Sequence, residues 1–288
     1  MDTDVARTTA VSDRSTMHAA QAVAAADPRL PPPLAEFDCV GKTFGEGASR
    51  LEAVRDIRLT VSEGDFVTLV GPSGCGKSTL LNMLAGLFEP TQGVVRYRGQ
   101  VVSGVNRRVG YMTQQDHLLP WRDVAGNVAV PLEIRGVARA DRRETVQRLV
   151  DLVGLTGFEH AYPSQLSGGM RKRCSFARLL ACDAETLLMD EPFGSLDAQL
   201  RLTLQGVMLR ICRQLGKTVL FVTHDLDEAV ALADRCVVFT RRPGNILTEL
   251  EIDLPRERDL VQLRLDDRYT ALTRRLWRLM APELVEPQ

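Results

Sequence analysis

From Glu36 onward the chain settles into regular alternations of apolar and polar residues. EFDCV and then IRLTV alternate with period two, the pattern of strands with one buried face, and predict an antiparallel pairing. The turn-forming EGD leads into FVTLV, a short β-branched run with no charge in it, as a strand buried on both faces requires. STLLNMLAGL then takes helical spacing and carries a glycine near its end, a helix stop. VVRYRGQVV, with its central glycine, predicts a hairpin. Across residues 121–175 the period is helical, and Val146, Leu149, Val150 and Val153 fall on one apolar face. Buried-type strands return at TLLMD and TVLFVT, separated by the helical LDAQLRLTLQGVMLRICRQLG. CVVFT, an RRPG turn and ILTELEI complete the set. Strands alternating with helices predict an α/β fold, a parallel sheet covered by helices. An antiparallel β subdomain precedes it, and the lobe at 121–175 is inserted as a helical subdomain.

The two ends read differently. Residues 1–33 are rich in Ala, Asp, Arg and Thr, end in PRLPPPL and contain no apolar core of a secretory signal. They predict a disordered leader, whose removal is expected to leave activity intact. The main domain is expected over 34–252. A tail over 253–288 ends in a helix that puts Tyr269, Leu272, Leu276 and Met280 on one face, with Arg274, Arg275 and Arg278 elsewhere around it. Packing on its own domain is the plain reading, and a membrane-surface or regulatory contact the other.

Composition changes this picture little. The formal net charge of −1 supplies no global basic field for nucleic acid. No apolar run reaches the ~18 residues of a membrane span. The six cysteines, Cys39, Cys75, Cys174, Cys182, Cys212 and Cys236, form no CxxC pair and no zinc-spaced cluster. They read as reduced thiols of a cytoplasmic protein.

The chemistry begins at GPSGCGKST, directly after the FVTLV strand: Gly71, Pro72, Ser73, Gly74, Cys75, Gly76, Lys77, Ser78 and Thr79. It fits G-x-x-x-x-G-K-[ST] between a strand and a helix, the context that motif needs. Glycines let backbone N–H groups curl around phosphate oxygens, and the helix N-terminus adds a positive dipole end. Lys77 supplies a cation for the β and γ phosphates, and Ser78 a hydroxyl for Mg²⁺. The stretch is therefore read as a nucleoside triphosphate site on a phosphate-loop, RecA-like core. A bulky thiol reagent at Cys75 is expected to block nucleotide entry.

TLLMDEP places Asp190 and Glu191 at a strand end. One carboxylate there can hold Mg²⁺, and its neighbour can take a proton from an attacking water. LSGGM opens a helix with Ser167, Gly168 and Gly169, either an anion site or a plain N-cap on Ser167. FVTHD ends a further strand with His224, and Gln114 precedes the DHLLPW run. A lone histidine or glutamine in such places is unremarkable.

In this order, over residues 36–251, the motifs resemble the ATP-binding cassette family, specifically the nucleotide-binding subunits of ABC transporters. LSGG is the diagnostic feature, SLD at 195–197 fits the family's D-loop with Asp197, and Phe44 in KTF stands where the family carries an adenine-stacking aromatic. The resemblance implies ATP and Mg²⁺ as cofactors, the ion held by Ser78, Gln114 and Asp190. It also implies a head-to-tail dimer with a second copy of the chain. Each ATP would lie on one phosphate loop, capped by Ser167 and Gly169 of the other copy. Glu191 would be general base, His224 would hold the γ-phosphate and the water, and Gln114 would sense both ion and water. Closure on ATP and reopening after hydrolysis would drive a partner.

LLPWRDVAGNVAVPLE and the tail, with DLPRERD followed by Leu276 and Trp277, resemble importers of the nitrate, sulfonate and taurine type. Related transporters carry other small aromatic or anionic compounds and pyrimidine precursors of thiamine. This implies a separate integral membrane permease, a solute-binding protein acting indirectly, and a place on the cytoplasmic face of the inner membrane. Met170 and Lys172 replace residues usual in this family, as do Met112 and Thr113. Arg171, Lys172 and Arg173 read as a solvated helix face, or as a contact to the permease or a partner nucleotide. The rival readings are a soluble ATPase of the same class acting on nucleic acid or ribosomes, a switch that binds ATP without turnover, and an exporter subunit. Long coiled-coil or zinc insertions and paired cassettes, usual in the soluble members, are absent from this sequence.

Overall fold

The computed structural model describes residues 33–194 and 196–284. The expected leader therefore lies outside the described residues, except for Pro33. Strands β1 (Ala35–Phe44) and β2 (Leu51–Val61) pair antiparallel, as their alternation predicts. Strand β3 (Phe66–Val70) follows, then helix α1 (Lys77–Leu84). A hairpin of β4 (Gln92–Tyr97) and β5 (Gln100–Val101) turns at Arg98–Gly99 and adds to β1. Next come β6 (Val109–Met112) and three helices, α2 (Val124–Ile134), α3 (Arg139–Leu152) and α4 (Gly168–Ala181). The remainder is β7 (Thr186–Asp190), α5 (Ala198–Gln214), β8 (Thr218–Val222), α6 (Leu226–Leu232), β9 (Arg235–Phe239), β10 (Ile246–Glu251) and α7 (Asp267–Leu284).

Two sheets result. The antiparallel one has strand order β2-β1-β4-β5. The larger has order β10-β9-β3-β8-β7-β6, parallel throughout except for the antiparallel edge strand β10. Every residue of β3 and β8 is buried, which is why those segments are continuous apolar runs rather than alternating ones.

Successive side chains of these strands enter different cores. Phe66, Val70, Leu187, Met189, Val219 and Phe221 join the core shared with the helices from α2 to α7. Val67, Leu69, Leu188, Leu220 and Val222 join α1 and the antiparallel sheet on the other face. The parallel sheet is thus the middle layer, and its strand ends open between the two cores.

Helices α2, α3 and α4 pack together through Val128, Leu132, Val146, Leu149 and Val150. Asp123 caps α2, accepting from the Gly126 N–H at 2.7 Å. The wholly buried Asn127 side chain accepts from the Leu119 N–H at 2.7 Å and donates to the carbonyls of Leu119 and Arg122. One amide therefore fixes the segment before α2, while Trp121 within it stays exposed.

The Arg171–Lys172–Arg173 run is a solvated face only in part: the Arg171 side chain stays 40% exposed. Lys172 is buried: its Nζ donates to the Gln114 carbonyl at 2.5 Å and pairs with Asp116 at 2.8 Å. Arg171 donates to the Leu166 carbonyl at 2.6 Å, and Arg173 to that of Val153 at 3.2 Å. The helix turns part of this cationic edge onto the carbonyls of its own neighbours. Helix α7 buries Tyr269, Leu276 and Met280 against the domain and leaves Trp277 half-exposed. Its Tyr269 hydroxyl donates to Asp227 Oδ1 at 3.0 Å, at the start of α6.

Candidate functional site

The site grows out of the carboxyl ends of three neighbouring strands, β3, β8 and β7. The loop after β3 begins at Gly71, where an added Cβ would stand 2.7 Å from Phe239 Cβ; only glycine lets the loop start so close to β9. Gly76 closes it with φ of 101°, and a Cβ there would meet Val54 at 2.3 Å. The chain can then enter α1 at once, with its first N–H groups lacking intrahelical acceptors. Lys77 is buried and folds back over the loop, its Nζ donating to the carbonyls of Gly71 at 2.7 Å and Pro72 at 2.9 Å.

Cys75 departs from expectation. Its thiol is 1% exposed, and its N–H donates inward to the Pro72 carbonyl at 3.3 Å. Burial pushes the thiol pKa up, although Lys77 opposes this. The loop turns Cys75 into the core shared with α1 and the antiparallel sheet, so it offers a reagent neither access nor thiolate.

Ser78 Oγ donates to Asp190 Oδ1 at 3.0 Å, joining the loop to the end of β7. Burial raises the Asp190 carboxyl above its ordinary range; the Ser78 hydroxyl works against this and the adjacent Glu191 adds to it. A hydroxyl and a carboxylate at this spacing are the hard oxygen donors a Mg²⁺ ion takes, and a cation would favour the ionised form that burial disfavours. Burial, followed by the charge of Asp190, also raises the phenol of Tyr111 on β6.

Glu191 leaves β7 with φ of 46°, a left-handed turn that points its side chain out of the strand direction. Its N–H donates to the Val222 carbonyl at 3.0 Å. Its Oε2 stands 3.0 Å from His224 Nδ1, just beyond the end of β8. A Cβ on Gly194 would lie at ordinary contact distance, 3.8 Å, from both Glu191 Oε2 and Gln114 Nε2, so those two groups border one space.

The phosphate loop and Glu191 border a cleft of about 290 Å³, whose lining does not include Asp190, His224 or Gln114. Ser73, Gly74, Gly76, Lys77, Ser78, Thr79 and Glu191 line it. Phe44, at the end of β1, lines it as well, with Phe88 edge-on at 5.4 Å between ring centroids. Gly71 and Pro72 lie behind the lining and serve it through their carbonyls.

The other predicted residues gather elsewhere. Ser167 caps α4, its Oγ accepting from the Met170 N–H at 3.3 Å. Gly168 follows it, and at Gly169 a Cβ would stand 2.7 Å from Leu200 of α5. Asp197 caps α5, accepting from the Leu200 N–H at 3.0 Å. The starts of α4 and α5 thus form a second polar face. It contributes nothing to the lining of the cleft. Ser195 lies outside the described residues.

Arg242 also lines the cleft, and sequence reasoning missed it. Its only signal was a pair of arginines in what read as a plain turn.

A phosphate-cradling loop, a strand-end Asp-Glu pair and a facing histidine on a parallel sheet define a phosphate-loop nucleoside triphosphatase. The family model described as ABC transporter matches residues 54–194. An uncharacterized ABC transporter ATP-binding protein of Methanocaldococcus jannaschii is 50% identical over 218 residues, 76% of this chain and 82% of that one. The taurine import ATP-binding protein TauB of Yersinia pestis is 44% identical over 201 residues, 70% of this chain and 79% of that one. The nitrate import ATP-binding protein NrtD of Synechococcus elongatus is 43% identical over 244 residues, covering 82% and 87%. Among solved structures, the ATP-binding cassette MJ0796, in a dimeric post-hydrolysis state bound to ADP and Pi, superposes with a TM-score of 0.68. Identity there is 29%, covering 77% of this chain and all of that one. The chain belongs to the ABC transporter family, as an ATP-binding, ATP-hydrolysing subunit. Among the described residues no helix is long and apolar enough to cross a membrane.

Proposed function

We propose that the chain is the motor of an importer for a small solute of the nitrate, sulfonate or taurine kind, docked on a separate membrane permease at the cytoplasmic face. Two relatives named for taurine and nitrate import support the direction and the solute class. The solute itself would be chosen by the permease and a solute-binding protein.

In this reading the adenine stacks on Phe44, and the phosphates lie on the loop amides and Lys77. Ser78, Asp190 and Gln114 would hold Mg²⁺, which would neutralise charge between the β and γ phosphates. Glu191 takes the proton of the attacking water, and His224, 3.0 Å away, orients the carboxylate and meets the γ-phosphate. The face at Ser167, Gly169 and Asp197 serves a second copy. A dimeric solved relative supports this, and so does a cap face that the chain does not turn to its own cleft. The observation that carries the hydrolytic part of the reading is the run from Ser78 through Asp190 and Glu191 to His224; the import part rests on the taurine and nitrate relatives.

The test is isolation of the tagged full chain from gently solubilised membranes, with ATP hydrolysis assayed on the product. A multi-span permease should co-purify and raise the activity. Glu191→Gln should bind ATP and lose roughly 10²–10⁴-fold in turnover, the loss of a general base. A chain that brings down no membrane protein, or a Glu191→Gln variant with near-normal turnover, overturns the proposal.

A further inference from the structure

The turn at 241–244, between β9 and β10, belongs to none of the motifs above. Its backbone is gripped on two sides. Towards the antiparallel sheet, the Gly244 N–H donates to the Ala53 carbonyl and the Arg55 N–H to the Gly244 carbonyl, both at 2.9 Å. A Cβ on Gly244 would lie 1.9 Å from the Cys75 carbonyl oxygen, so the turn rests directly on the phosphate loop. Towards the tail, Glu283 of α7 accepts the Arg241 N–H at 2.7 Å, and Arg241 Nη2 donates to the Pro282 carbonyl at 2.5 Å.

Arg242 points the other way. Its Nε donates to the Gly74 carbonyl at 3.1 Å, and its Nη2 lies 2.8 Å from where a Cβ on Gly74 would stand. The bond through Nε ties the guanidinium to the loop and leaves both Nη groups as donors, on a side chain that lines the cleft with Ser73, Gly74 and Lys77. Lys77 meanwhile is engaged by two loop carbonyls. Arg242 therefore brings a second positive charge to the cleft, as a planar fork suited to phosphate oxygens.

We propose that Arg242 is a nucleotide-binding residue that contacts a phosphate of the bound nucleotide, and that α7 sets its position through Arg241 and Glu283. The inference rests on the reading that the cleft takes ATP. Arg242 touches the outer bend of the loop at Gly74 rather than the Glu191–His224 pair. Its contact is therefore made to ATP and ADP alike, and it acts on binding.

The test is a titration of the full chain with fluorescent ATP and ADP analogues. Arg242→Ala should raise both dissociation constants by the same factor, roughly 3–10-fold for a partly exposed charged contact, and the factor should shrink at high salt. Arg242→Lys should recover part of the loss, since charge remains without the fork. Glu283→Ala should weaken both nucleotides less than Arg242→Ala does. Glu283→Gln, which keeps an acceptor for the Arg241 N–H, should bind like the unaltered chain. Unchanged affinities in Arg242→Ala, or a loss confined to ATP, overturn the contact. A Glu283→Ala variant that binds normally overturns the link to α7. Lys77→Ala separates the two levels: if it too binds ATP normally, the reading of the cleft itself fails.

Discussion

At the scale of single residues, Lys77 has two tasks. In the proposed reading its ammonium meets phosphate, and in the structure it ties the Gly71 and Pro72 carbonyls together. Lys77→Ala therefore removes a charge and the brace that holds the loop in shape, and ATP affinity should drop steeply, as isothermal titration would measure. Cys75 makes the opposite point. Buried, with its thiol pKa raised, it should resist maleimide in the native protein and react after denaturation; rapid native labelling at that position would contradict the structure. Position in the chain announced that both residues belong to the loop. Which side of the loop each one faces could not be read there, because that depends on β9 packing against Gly71. Arg242 was hidden for a related reason: an arginine in a turn is ordinary until the fold sets that turn on another loop, 168 residues away in sequence.

At the scale of elements, the strands and helices were largely legible, since each carries its own period. The unbroken runs of β3, β7 and β8 and the helical faces of α3 and α7 stand where the pattern puts them. Helix α4 was harder. Its Arg171–Lys172–Arg173 run has the composition of an exposed face, and only the neighbouring 114–117 segment makes Lys172 an interior residue. The Lys172 ammonium ties the start of α4 to the Gln114 carbonyl and the Asp116 carboxylate. Lys172→Met leaves both acceptors without that cation and should cost roughly 1–3 kcal/mol, below the full cost for a buried pair because Asp116 retains some solvent contact. Lys172→Gln can still donate to Gln114 and should lose less. Urea unfolding of the two variants would rank them.

At the scale of the whole molecule, one buried acid makes stability depend on pH. Glu228 accepts from Gln205 Nε2 at 2.8 Å and meets the Thr223 hydroxyl, and burial pushes its carboxyl up from 4.5 to about 7. Between those values the folded chain holds a proton that the unfolded chain has lost. The contribution of Glu228 to stability therefore falls as pH rises through that window and levels off above it. The size is roughly 3 kcal/mol at most, from the conversion of a pKa shift to free energy. Glu228→Gln cannot titrate. Its urea midpoint should decline less than that of the unaltered chain between about pH 4.5 and 7, the window set by the raised carboxyl, and equal declines would refute the assignment.

The order β9-β3-β8-β7 at the centre of the parallel sheet has a thermal corollary. The phosphate loop, Asp190–Glu191 and His224 hang from β3, β7 and β8, neighbours in one hydrogen-bonded ladder. Interstrand spacing, about 4.8 Å per step, sets how far apart they sit. A ladder of strands buried along nearly all their length does not loosen by degrees; it holds until it melts as a unit. On heating, the alignment of the groups proposed to act on ATP should last as long as the sheet does, and thermal inactivation and unfolding should be a single event.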